Sequence, residues 1–171
     1  MFRVISRLLF VVALGTSATS AWAFDALITE CHDGDSCTAI ADGNRFKIRV
    51  HGIDAPEIDQ PYGIEARSLM VSLVVRRHVD LTAAGYSYKR RVTDIRLSDG
   101  TDVAERMVAA GAAWVEPRYN TDPKTPAMQA SAQQRHLGLW ANPSAIPPWE
   151  WRHGRNQNQA YQQQRPWWWQ R

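Results

Sequence analysis

From residue 27 the chain alternates apolar and polar positions in short runs. Residues 27–32, 36–41 and 46–53 each read as a strand, and the third does so most plainly: Lys47, Ile48, Arg49, Val50 and His51 alternate as a half-buried strand requires. Gly34 and Gly43 fall between the runs, where tight turns are expected. The period then changes. Over residues 62–77, Ala66, Leu69, Met70 and Leu73 fall at i, i+3, i+4 and i+7, which is one face of a helix. Residues 79–82 and 91–97 predict two further strands, the second carrying Val92, Ile95 and Leu97. A short helix is expected over 101–110, closed by Gly111, and a last one over 126–136, ended by Gly138.

Three strands, a helix, two strands and two helices do not alternate as a parallel α/β sheet would. The order predicts an OB-fold, a five-stranded antiparallel barrel with about three α-helices. At 171 residues, 44% hydrophobic and 22% charged, the chain suits one compact domain and excludes collagen-like, wholly disordered and multi-pass membrane classes.

Both ends depart from this pattern. Arg3 and Arg7, an apolar stretch from Leu8 to Leu14, and Ala21-Trp22-Ala23 read as a signal peptide over residues 1–23. That stretch falls short of the about 20 residues a membrane span needs, so no stable membrane anchor is expected and the protein is expected to be periplasmic or secreted. The domain is then expected over 24–152. Residues 153–171 are rich in Gln, Arg and Trp, end on Pro166-Trp167-Trp168-Trp169, and predict a flexible tail. Such a tail could stack on nucleic acid, sit at a surface, or have no required role.

Removing both ends changes the charge. The whole chain is +3, but residues 24–151 carry 14 basic against 17 acidic residues, a net −3. Bulk charge therefore does not imply strong nonspecific binding of nucleic acid, and any such binding has to come from a local site.

The two cysteines, Cys31 and Cys37, flank Asp33-Gly34-Asp35, a turn signal. A hairpin centred on Gly34 sets them opposite each other, and in an oxidising compartment a cross-strand disulfide is the preferred expectation over two unpaired thiols. Two Cys and His32 do not make a zinc site.

Asp33-Gly34-Asp35-Ser36 and Asp54-Ala55-Pro56-Glu57 are each ordinary turn sequences when read alone. Together they place carboxylates at the ends of neighbouring strands. Two carboxylates, a backbone carbonyl and waters form an oxygen-only site suited to Ca²⁺ or Mg²⁺. Arg49 lies five residues before Asp54, and Arg90 lies within Lys89-Arg90-Arg91. A guanidinium matches two phosphate oxygens and keeps its charge. Metal, arginines and a free carboxylate are the parts needed to hydrolyse a phosphodiester.

These motifs resemble the staphylococcal nuclease family. The resemblance runs from Asp33-Gly34-Asp35-Ser36 through Arg49 to Asp54-Ala55-Pro56-Glu57. It continues in Gln60-Pro61-Tyr62-Gly63, Tyr88-Lys89-Arg90 and Gly138-Leu139-Trp140, and ends in Pro147-Pro148-Trp149-Glu150-Trp151-Arg152. It implies an exported nuclease that cleaves DNA and RNA to 3′-phosphorylated products with Ca²⁺ as cofactor. In that likeness Asp35, Asp54 and the Ala55 carbonyl would bind Ca²⁺, with Asp33 a nearby acid. Glu57 would be the general base, and Arg49 and Arg90 would stabilise charge on phosphorus. Tyr88 would contact substrate. Ser36 stands for the family's Thr and keeps the hydroxyl; Lys89 stands for Gly, which leaves Arg91 as the alternative to Arg90. A monomer is expected. The competing readings are a catalytically inactive OB-fold module that binds nucleic acid, and an adhesive protein acting through its tail.

Overall fold

The computed structural model describes residues 23–163, with side chains through residue 156. Strands β1 (Ala23–Cys31), β2 (Ser36–Ala41) and β3 (Asn44–Val50) form a meander. A two-residue β4 (Ile53–Asp54) leads into helix α1 (Gly63–Val74). The hairpin of β5 (His78–Ser87) and β6 (Arg90–Arg96) follows, then α2 (Val103–Ala109), the short β7 (Trp114–Val115) and α3 (Thr125–Gln134). A 3-10 turn (Gly138–Ala141) and helix α4 (Pro148–Gln163) complete the described chain.

The five long strands close into a barrel in the order β1-β2-β3-β6-β5, and β4 pairs with β7 beside it. All barrel pairs are antiparallel except β3 with β6, which is parallel through Ile48↔Arg91, Arg49↔Val92 and Val50↔Thr93. The exception is topological. Strand direction cannot alternate all the way round a closed ring with an odd number of strands, so one neighbouring pair must run parallel. The excursion through β4, α1 and β5 delivers β6 alongside β3 in that sense.

Packing follows the alternation. Ile28, Ile48, Leu81 and Ile95 are fully buried in the barrel, and α1 closes it with Ala66, Met70 and Val74. A bulge in β1 between Ile28 and Glu30 shifts the phase, so Ile28 and Cys31, three residues apart, are both buried. Cys31 pairs with Cys37 across the hairpin, and the two form a disulfide. A second small core gathers Ala132, Leu139 and Trp140 beside Trp114. Trp149 packs edge-on to Trp114, at 5.9 Å between ring centroids, and anchors the start of α4.

Among the described residues four α-helices stand where about three were expected. The expected domain end at residue 152 falls inside α4, which continues to Gln163 where a flexible tail was expected from residue 153. The start at Pro148 and the anchoring Trp149 explain how a helix begins there, since Pro is well suited to a first turn. The expected signal peptide, apart from Ala23, and residues 164–171 with the Trp167–Trp169 run lie outside the described residues. Among the described residues no helix is long and apolar enough to cross a membrane.

Candidate active site

The site is assembled at one rim of the barrel, from the β1–β2 turn, the end of β3, the β4–α1 segment and the β5–β6 hairpin. Asp33 builds the turn: its Oδ1 accepts from the backbone N–H of Asp35 at 2.9 Å and of Ser36 at 2.6 Å. Gly34 has to be glycine because a Cβ there would come within 2.7 Å of the Ala55 Cβ and 3.0 Å of the Ala66 Cβ. The turn is thus pressed against α1 and the segment following β4. A second glycine sets the other wall. At Gly63 a Cβ would lie 1.9 Å from the Glu57 carbonyl oxygen, so the first turn of α1 fits directly under Glu57.

Asp35 is buried, and its carboxylate is enclosed by donors. Ser36 Oγ donates to Oδ1 at 2.8 Å, Arg49 Nη1 to the same oxygen at 2.7 Å, and the Ala55 N–H to Oδ2 at 2.8 Å. Arg49 turns its other nitrogen, Nη2, to Asp54 Oδ1 at 2.7 Å. One guanidinium therefore ties two buried carboxylates together. Burial pushes the Asp35 carboxyl up to about 7; Arg49 opposes the rise, and the like charges of Asp33 and Asp54 add to it. Burial also works against the charge of Arg49, but Asp35 and Asp54 more than restore it and hold its pKa above the ordinary value.

Arg90 donates from Nη1 to Ser36 Oγ at 2.8 Å, so it reaches Asp35 through one hydroxyl. Arg91, the next residue on β6, points away and lies over the Phe46 ring at 4.1 Å. Alternation along the strand thus places Arg90 in the site. Tyr88 sits at the tip of the β5–β6 hairpin and is almost wholly exposed, as is much of Tyr86. These side chains and Tyr119 rim an open cleft of about 740 Å³. Asp33, Asp35, Arg49, Asp54, Ala55, Glu57 and Arg90 line it as well.

Residues 47–142 match the family described as staphylococcal nuclease homologues. The chain belongs to the staphylococcal nuclease family. It is 41% identical over 122 residues to an "Uncharacterized endonuclease" of Escherichia coli O157:H7, covering 71% of this chain and 80% of that protein. A protein of the same printed name from Haemophilus influenzae is 31% identical over 80% of this chain and 78% of its own length. A "Probable staphylococcal-like nuclease" of Oryza sativa subsp. japonica is 38% identical over 63% of this chain but only 22% of its own length.

Within this family member, the cleft brings together every catalytic, metal and substrate position picked out in the sequence. Three further contributors were not picked out. Arg152, on α4, donates from Nη2 to Asp54 Oδ2 at 2.7 Å and from Nη1 to Glu57 Oε1 at 2.7 Å. Its hydrogen bonds to Asp54 raise its pKa above the ordinary value; burial opposes this, and the bond to Glu57 reinforces it. Arg118 pairs with the buried Glu116 at 3.0 Å on the far wall, and Tyr119 is exposed beside it. The only sequence signal for Arg152 was its place at the end of the Pro-Pro-Trp-Glu-Trp-Arg string.

Among the described residues no three His, Cys, Asp or Glu side chains cluster closely enough to hold a metal ion. The donor chemistry nevertheless fits a hard cation. Asp35 and Asp54 offer only oxygens, and both are brought onto one guanidinium. Asp33, Asp35, Asp54 and Glu57 also outnumber Arg49, Arg90 and Arg152 around the same cleft.

Proposed function

We infer that the protein is an exported, Ca²⁺-dependent nuclease hydrolysing phosphodiester bonds of DNA and RNA to 3′-phosphorylated products. The observation that carries this reading is the convergence of Asp35, Arg49, Asp54, Glu57 and Arg90 on one open cleft in a chain of this family. Asp35, Asp54 and the Ala55 carbonyl are the groups that would hold Ca²⁺, which when bound polarises the phosphate and eases approach of an anionic nucleophile. Glu57 takes the proton of the attacking water through its carboxylate. Arg49, fixed by Asp35 and Asp54, and Arg90, fixed by Ser36, supply positive charge where it accumulates on the phosphoryl oxygens. Their prior fixation means that little reorganisation is needed as that charge develops. Tyr88, exposed at the hairpin tip, offers a face for a base.

The test is purified protein spanning residues 24–171, incubated with plasmid, single-stranded DNA or RNA, in Ca²⁺ or in a chelator. Cleavage that needs Ca²⁺ and yields 3′-phosphate ends is expected, and Glu57→Gln is expected to lower turnover by about 10²- to 10⁴-fold with folding intact. Near-normal turnover in that variant would remove Glu57 from its role. A second reading, a catalytically silent binding module, draws on the hydrogen bond that Arg152 makes to Glu57. Retention of oligonucleotides without cleavage under any divalent cation would favour it.

A further inference from the structure

Arg152 touches the two carboxylates to which the nuclease reading gives the most chemistry. It engages Asp54 through both of its terminal nitrogens, at 2.7 and 3.2 Å, and Glu57 at 2.7 Å. With Arg49 on Asp54 Oδ1, both oxygens of Asp54 are then committed to guanidinium donors. A cation on Asp54 would compete with Arg152 for Oδ2, and a water on Glu57 would compete with it for Oε1. Arg49 and Arg152 already bring two positive charges to Asp54, so a divalent cation there would add a third and meet strong repulsion unless Arg152 left.

The contact is built by α4. Trp149 packs on Trp114, Trp151 Nε1 donates to Asp59 at 3.4 Å, and Arg155 pairs with Asp59 at 3.0 Å. These hold the first turns of the helix against the rim. Arg152 is about one-third exposed although its partner Asp54 is buried, so it reaches the site from the solvent side; the Arg155–Asp59 pair behind it is open and of the kind that exchanges readily with solvent and ions. Charge points the same way. Without Arg152, the four carboxylates Asp33, Asp35, Asp54 and Glu57 face two guanidiniums, a deficit that a divalent cation would fill.

We propose that Arg152 is a tethered cation that occupies the metal and general-base positions of the substrate-free protein, and that a divalent ion must displace it before Glu57 is free to act. This rests on the nuclease reading and adds its regulation: α4 makes the enzyme dependent on cation concentration. Arg152 is an inhibitory positioning residue in this scheme, and no covalent step is assigned to it.

Calorimetric titration of Ca²⁺ into substrate-free protein tests the proposal in the parent and in Arg152→Gln, Arg152→Lys and Arg118→Gln. Lysine keeps the charge but cannot span both carboxylates. Arg118 lines the same cleft but is paired to Glu116, so it reports the effect of removing a nearby charge alone. Arg152→Gln is expected to bind Ca²⁺ about tenfold more tightly, Arg152→Lys by an intermediate factor, and Arg118→Gln by less than about twofold. The Ca²⁺ concentration for half-maximal cleavage should fall in the same order. Unchanged or weaker binding by Arg152→Gln overturns the proposal, as does an equal gain from Arg118→Gln. If the expected order of affinities appears in a protein that cleaves nothing, the tethered cation stands and the nuclease reading fails. If the parent cleaves and the order is absent, only the tethered cation fails. No Ca²⁺ binding by any form, together with no cleavage, overturns both.

Discussion

Asp35 carries its charge against the cost of burial. Burial lifts its carboxyl to about 7, Arg49 only partly counters this, and Asp33 and Asp54 add to the rise. Between the unfolded value of 3.8 and about 7 the folded protein holds a proton that the unfolded chain has released. Stability contributed by this group is therefore present at low pH and lost as pH rises through that window. Asp35→Asn removes the buried charge and should remove that pH dependence. In chelator, the melting temperature of the variant should exceed that of the parent by several degrees near pH 8 and converge with it at about pH 4.5. A lower melting temperature near pH 8 would mean that the Arg49 and Ala55 hydrogen bonds outweigh the cost of burial. The variant should be inactive, so a site that weakens the fold would be exchanged for a stable, silent one.

At the scale of elements, the β5–β6 hairpin decides which arginine works. Arg90 turns to Ser36 and Arg91 to Phe46, on opposite faces of one strand. Arg90→Ala should cost about 10²- to 10³-fold in turnover, as loss of a charge-stabilising donor does, while Arg91→Ala should cost less than about fivefold. The reverse result in a kinetic comparison of the two would reassign the site. The sequence string around Tyr88 could not choose between them, because the choice depends on strand register against β3. What it did show depended on local rules. The 46–53 alternation and the turns at Gly34 and Gly43 located β1 to β3, and the 3.6-residue period located α1. The parallel β3–β6 pair was not visible, because it follows from closing an odd-numbered ring. Arg152 was not visible because it meets Asp54 from 98 residues away, and no local pattern records such a meeting.

For the whole molecule, charge limits how nucleic acid is gripped. The body over residues 24–151 is net −3, and the cleft's arginines are mostly committed: Arg49, Arg118 and Arg152 each pair with a carboxylate. Arg90 donates to a hydroxyl and Lys89 stands at the hairpin turn, so about two phosphates are within reach of uncommitted cations. Binding of a single strand should accordingly depend only weakly on salt, with a log–log slope of about −1.5. Stacking on the exposed tyrosines should carry the remainder. Tyr88→Ala should then weaken binding by about 1–3 kcal/mol without changing that slope. Fluorescence anisotropy of a labelled oligonucleotide measures both, using Glu57→Gln in a chelator, where Arg152 stays on Asp54 and the strand stays intact across a sodium chloride series. A slope steeper than about −4 would show that many more cations take part than this face of the barrel supplies. Arg165 and Arg171 would then be the next residues to remove. A shallow slope with a large Tyr88 effect would fit a nuclease that holds its strand by bases more than by phosphates, and that works on whichever strands are open enough to offer them.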